Sequence, residues 1–206
     1  MTNYIQFPRY CLFLIPNENF IEDFNTFCKK NSINTSSLNK SIYGFHSTVK
    51  APFYLSHLYS ENQLIEKFQN IDMKKIHSLL SNTYLVNKLE SFKKSLVLKL
   101  DQNNNFDFVT NSLMRDFDLF RKTLNNSELK EDIKRFNQLS EKEKIYFQIW
   151  GYPYYFEYSF HHVTLPIYEG AKQDYINSIR EVKYEKLSLL RQNNINENFK
   201  EISSLS

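Results

Sequence analysis

Two tripeptides carry residue types that could do chemistry: His46-Ser47-Thr48 and His162-Val163-Thr164. Each sits in a strand-like run, and along a strand residues i and i+2 face the same way. His46 and Thr48 therefore point together, as do His162 and Thr164. With five His and eight Thr in 206 residues, chance supplies about 0.2 such pairs, so two are an excess. One neutral imidazole can take a proton from an attacking oxygen while a second, protonated, gives one to a leaving oxygen. Histidine titrates near neutrality and suits both tasks. Two Thr hydroxyls can donate to non-bridging phosphoryl oxygens, where negative charge gathers. The set fits phosphodiester cleavage and calls for no metal and no cofactor.

The elements that must position these residues follow from periodicity. A strand is predicted over 9–15, stopped by Pro16, and Phe20, Phe24, Phe27 and Cys28 then place an amphipathic helix over 18–32. The polar stretch 31–40 reads as loop, and 43–50 as a strand ending before Pro52. Ser60 and Gln63 form a capping box for a helix running to about residue 80. Strands follow over 83–90 and 95–101, then a helix carrying Val109, Leu113, Phe117 and Phe120. Shorter helices begin near Ser127 and at Ser140, the latter capped with Glu143. A strand over about 159–167, a helix from 171 to about 182, and strands over 186–191 and 198–203 complete the chain.

Each half reads strand, helix, strand, helix, strand, with a His-x-Thr strand at its centre. The expected fold is α+β: one bilobal domain of two pseudo-symmetric lobes, each a mainly antiparallel sheet backed by helices. The first lobe spans about 1–93 and the second about 94–206, with end strands open to exchange between them.

Composition narrows the function. The three glycines, Gly44, Gly151 and Gly170, leave no GxGxxG turn and no GxxxxGK phosphate loop. Cys11 and Cys28 lie in apolar patterns and read as buried thiols of a reducing cytoplasm. No run reaches the length of a membrane span and no signal peptide is seen, so a cytoplasmic chain with no membrane partner is expected. A net charge of +3 suits an anionic small molecule and is not the footprint of a duplex nucleic-acid binder. A monomer is expected.

The flanks of the two motifs carry a resemblance. Tyr43-Gly44-Phe45-His46-Ser47-Thr48-Val49-Lys50-Ala51-Pro52-Phe53 resembles a Y-G-F-H-A-T-L-K-A-P-F signature, and Trp150-Gly151-Tyr152-Pro153-Tyr154, with Phe156 and His162-Val163-Thr164-Leu165, resembles its partner block. These belong to the two-histidine (2H) phosphoesterase superfamily, in a branch of unknown function often encoded beside carbon–phosphorus-lyase (phosphonate) genes. Arg9-Tyr10, Phe117-Asp118-Leu119-Phe120-Arg121 and the C-terminal hairpin also fit, so the likeness spans nearly the whole chain. Ser47 and Val49 replace the usual Ala and Leu, His161 replaces the usual Phe, and an early glycine- and tryptophan-containing segment is missing. The resemblance implies a cleft between the lobes where the two motifs meet.

Further residues are expected around that cleft. Lys50 continues the face of His46 and Thr48 and is expected near the phosphate, against the alternative of a solvated strand-end lysine. Arg121 reads equally as a bidentate anion clamp and as a member of a structural ion pair. Arg9 and Tyr43 are candidates for the pocket lining. Tyr152, with Tyr154, Tyr155 and Phe156, reads as cleft wall or as a stacking surface. His161 is expected to point away from His162, toward the helices. The reading is a metal-independent phosphodiesterase for a small cyclic or nucleotide-like diester. Its rivals are a non-catalytic binding module for a phosphorylated metabolite or nucleotide, and a cyclic phosphodiesterase acting on RNA ends.

Overall fold

The computed structural model describes residues 8–30, 43–92, 95–134, 136, 139–166, 179–194 and 196–206. The predicted loop 31–40 and most of the predicted helix from 171 lie outside them.

Two four-stranded antiparallel sheets organise the molecule. In the first, β1 (Arg9–Pro16) and β2 (Ser47–Tyr54) join the last two strands, β7 (Tyr184–Gln192) and β8 (Lys200–Leu205), in the order β2-β1-β7-β8. In the second, β3 (Tyr84–Phe92), β4 (Ser95–Leu100), β5 (His162–Leu165) and β6 (Glu181–Val182) run β5-β4-β3-β6. Residues 181–182, read from sequence as a helix end, are thus a short strand paired with Tyr84 and Leu85. The edge strands of the two sheets meet at a single bridge, His46 opposite Thr164. There the Thr164 N–H donates to the His46 carbonyl at 2.8 Å and the His46 N–H to the Thr164 carbonyl at 3.4 Å.

Six helices flank the sheets among the described residues: α1 (Glu18–Lys30), α2 (Glu61–Gln69), α3 (Met73–Leu80), α4 (Asn104–Asp118), α5 (Asn126–Ile133) and α6 (Glu141–Trp150). Their starts follow side-chain caps. Ser60 with Gln63 and Ser140 with Glu143 form the expected capping boxes, and Asn125 with Glu128 forms a third. The single helix expected over 60–80 is two, because Asp72 caps a new start by accepting from the Lys74 N–H.

β1 is apolar on both faces, and the core explains why. Tyr10, Leu12 and Leu14 enter the main core with Phe20, Phe24, Phe68, Phe117 and Leu189. The alternate residues Cys11 and Phe13 form a smaller cluster with Leu190 and Phe199 on the other face. Both cysteines are buried free thiols.

β2 departs from the sequence reading in two ways. It continues through Pro52 to Tyr54, which an edge strand tolerates because its outer N–H groups have no sheet partner. It also carries two register shifts against β1, flanking the pair Leu12–Lys50. Each gives β2 one extra residue, so the alternation of faces slips after Thr48.

No helix among the described residues is long and apolar enough to cross a membrane.

Candidate active site

The junction of the two sheets brings both His-x-Thr motifs to one cavity of about 280 Å³. His46, Thr48, His162 and Thr164 line it, together with Arg9, Tyr43 and Tyr152. Seven of the nine residues selected from sequence therefore share this wall. Among the described lining residues Arg9 is cationic and none is a carboxylate, so the cavity suits an anion.

The two imidazoles are held alike. His46 Nδ1 lies 3.0 Å from the Gly44 carbonyl, and His162 Nδ1 lies 2.8 Å from the Phe160 carbonyl. In each case the partner is the carbonyl two residues upstream. A carbonyl can only accept, so each Nδ1 carries a proton and donates it. Gly44 reaches this position with φ +62°, the left-handed region open to glycine. Ser47, between His46 and Thr48, donates to the His162 carbonyl and so ties the two motifs together.

Their surroundings differ. His46 is 5% exposed and stacks on Phe13, with ring centroids 4.0 Å apart. Burial pulls its pKa down to about 4; the Gly44 bond opposes this and the nearby His162 reinforces it. The ring is neutral at pH 7. His162 is half-buried, with Phe160 at 4.5 Å and Phe92 at 5.5 Å. Thr48 and Thr164 are half-buried as well.

Arg9 is 6% exposed, donates to Gln192 and lies over the Phe199 ring. This pairing uses β7, the neighbour of β1, to hold the guanidinium at the cavity. Tyr43 stacks on Phe199 at 5.3 Å.

Lys50 and Arg121 lie elsewhere. Lys50 is 1% exposed, and its ammonium meets the Asp118 carboxylate and the Trp150 carbonyl. The doubled bulge is the reason: after Thr48 the face slips by one residue, Ala51 takes the cavity position, and Lys50 turns toward α4. Burial pulls the Lys50 pKa down to about 8, and Asp118 opposes it. Arg121 shares Asp118, with Nε 2.7 Å from one carboxylate oxygen and Nη2 3.2 Å from the other, and also donates to the Ile149 carbonyl. Both cations thus hold the C-terminal carbonyls of α6, where positive charge is favoured.

Gly151 follows at φ +70°, and a Cβ there would sit 2.7 Å from Arg121 Cδ. The clamp fixes the turn from which Tyr152 reaches the cavity wall. Tyr155 strengthens it by accepting from the Ala51 N–H at 2.7 Å.

His161 points away from His162, as its place in the strand implies, and stacks on Phe106 of α4 at 3.4 Å. The sequence reading missed Phe13, Phe92, Ser95 and Phe136 in the cavity lining. For Phe13 a signal existed, since it shares a face with Arg9 along β1. It also missed Asp118, although the segment around it was singled out.

Comparison with known proteins adds two findings. Residues 30% identical over a 126-residue stretch relate this chain to "Ribose 1,5-bisphosphate phosphokinase PhnN" of Janthinobacterium sp. (strain Marseille). The match covers 60% of this chain but only 26% of that protein, about a quarter of its length. Residues 48–200 match the model of a family described as "Protein of unknown function (DUF1045)", a stretch that includes Thr48, His162 and Thr164 and begins just after His46. That match covers well over half of the chain, and the chain belongs to the DUF1045 family.

Proposed function

We propose that this chain is a metal-independent phosphodiesterase of the two-histidine kind, acting on a small phosphodiester with a ribosyl or nucleotide-like part. One observation carries the reading: two imidazoles on meeting strands, each with Nδ1 tied to the carbonyl two residues upstream, line one anion-suited cavity with two threonines. With Nδ1 engaged, the proton transfers are assigned to Nε2.

His46, buried and neutral, takes a proton from an attacking water as general base. The water oxygen bonds to phosphorus, and the bond from phosphorus to the leaving oxygen breaks. The protonated His162 gives its proton to that oxygen as general acid. Thr48 and Thr164 donate to the non-bridging oxygens, and Arg9 supplies positive charge where negative charge grows. The products are a phosphomonoester and a hydroxyl, and solvent exchange resets both rings.

The relative named for ribose 1,5-bisphosphate supports a ribosyl phosphate as ligand. Only the ligand class is taken from that relative for this chain, which has no GxxxxGK loop, and its kinase activity is not. A phosphoribosyl cyclic phosphate is the specific candidate. It is in keeping with the phosphonate-gene association of the resembling branch.

The test is a turnover screen with EDTA present, against phosphoribosyl cyclic phosphate, 2′,3′-cyclic nucleotides and linear dinucleotides. Hydrolysis of at least one by the wild type, lost in His46→Ala and His162→Ala, is expected. Tight binding of the same compounds without turnover would replace the enzyme with a binding module.

A further inference from the structure

A smaller chamber of about 50 Å³ adjoins the cavity and shares Thr48, Phe92, Tyr152 and His162 with it. Its remaining lining is of a different kind, with Asp107, Asn111, Ser159 and His161 among aromatic rings. No role in the proton transfers falls to any of these four.

Counting protons along a buried chain fixes the state of His161. Ser47 has one hydroxyl proton, and it goes to the His162 carbonyl, which has none to offer. Ser47 also bonds to the Tyr184 hydroxyl, so Tyr184 must be the donor there. The Tyr184 oxygen then accepts from His161 Nε2, 2.9 Å away. Nε2 carries the ring proton, and burial keeps the imidazole neutral, its pKa far below the usual value. Nδ1 of His161 is therefore a bare acceptor. It is buried and has no hydrogen-bond partner among the described residues. Buried acceptors are nearly always satisfied, and one left bare on a residue that lines a chamber points to a donor that arrives with the ligand. The stack on Phe106 and the edge of Tyr84 hold the ring in place.

We infer that the smaller chamber is a hydroxyl subsite, in which a sugar hydroxyl near the scissile phosphodiester donates to Nδ1 of His161. The inference rests on the phosphodiesterase reading only for which phosphorus lies next door. It gives His161, where the resembling branch usually has Phe, a role in specificity. A site built to bond a hydroxyl discriminates strongly against the analogue that lacks it.

Binding measurements test it without turnover. The probes are ribose 5-phosphate and its 2-deoxy and 3-deoxy counterparts, titrated by calorimetry into the wild type and into His161→Phe. Phe is planar, apolar and the usual residue in the branch, so the stack on Phe106 is kept. The wild type is expected to bind ribose 5-phosphate about tenfold tighter than at least one deoxy sugar, with the ratio falling to near one in His161→Phe. Affinity for inorganic phosphate should be equal in the two proteins. In ¹⁵N spectra Nδ1 of His161 should resonate as an unbonded acceptor in the free protein and move upfield with ribose 5-phosphate.

A ratio that survives His161→Phe, failure of every sugar phosphate to bind, or an Nδ1 already hydrogen-bonded without ligand, as a resident water would make it, overturns the subsite. Hydroxyl discrimination without hydrolysis of any diester would instead remove the phosphodiesterase reading and leave the subsite standing.

Discussion

His46 is 5% exposed beneath Phe13, at the head of a strand that two bulges bend, whereas His162 is half-buried at the start of a regular four-residue strand. The motif and the Nδ1 anchor are the same in both. The difference teaches that a repeated tripeptide fixes where two rings point, and the burial that holds His46 neutral is not repeated with it. Two-fold symmetry alone would give two equivalent imidazoles. The proposed base and acid roles need two unequal ones, and the two rings differ in burial.

The strongest way to break this comparison is to remove either ring. His46→Ala and His162→Ala should each lower kcat/KM by about 10²- to 10⁴-fold, and the double variant should be little worse than either single one. Near-full turnover in a single variant would make the motif structural.

The next effect falls on stability, at the bulge that sets the two strands apart. Asp118→Asn leaves the buried Lys50 and Arg121 charges without their shared carboxylate. Breaking a buried pair of this kind costs about 3–5 kcal/mol, read as a lower urea midpoint. An unchanged midpoint would remove the clamp from the account of the cavity wall.

Smaller still, Thr48→Ala and Thr164→Ala should lower kcat/KM by about 10- to 100-fold and stay folded, each losing one donor to the phosphoryl group. Equal losses would mean that the symmetry of the motif survives in phosphate contact even though the imidazoles differ.

The finest test is the pH dependence. As a base, His46 must be neutral, and with its pKa down at about 4 the acid limb of kcat/KM should lie near pH 4 instead of 6.5. Folding carries the same sign. The folded state binds fewer protons than the unfolded one between about 4 and the ordinary 6.5, so stability is full above 6.5 and is lost as pH falls toward 4. Buried, neutral His161 adds to this in the same direction. His46→Ala should flatten, without abolishing, the difference in urea midpoint between pH 7 and pH 5.

Much of this was legible in the chain because it rests on local rules. Ser60-x-x-Gln63 and Ser140-x-x-Glu143 announced two helix starts, and period-two alternation put His46 with Thr48 and His162 with Thr164. What failed was whatever depended on distant partners. Lys50 follows Thr48 at the same spacing, but the bulges belong to the pairing with β1 and leave no mark in β2's own residues. Arg121 reads two ways from sequence because its carboxylate, Asp118, is shared with Lys50, 68 positions before that aspartate. The end strands read as open to exchange, and the pairing of β7 and β8 into the first sheet is such an exchange, fixed by long-range partners and by no period of its own.

That exchange has a consequence for how the molecule comes into being. Arg9 pairs with Gln192 both along the ladder and through its side chain, a separation of 183 residues. During synthesis β1 emerges early and must wait for β7 before its second ladder can close. Its apolar residues stay open to wrong partners for most of translation. Contacts this distant are slow to find, so assembly of the cavity is a late event. A chain that stops before β7 holds both His-x-Thr tripeptides but lacks the Gln192 partner that seats Arg9 at the cavity they line.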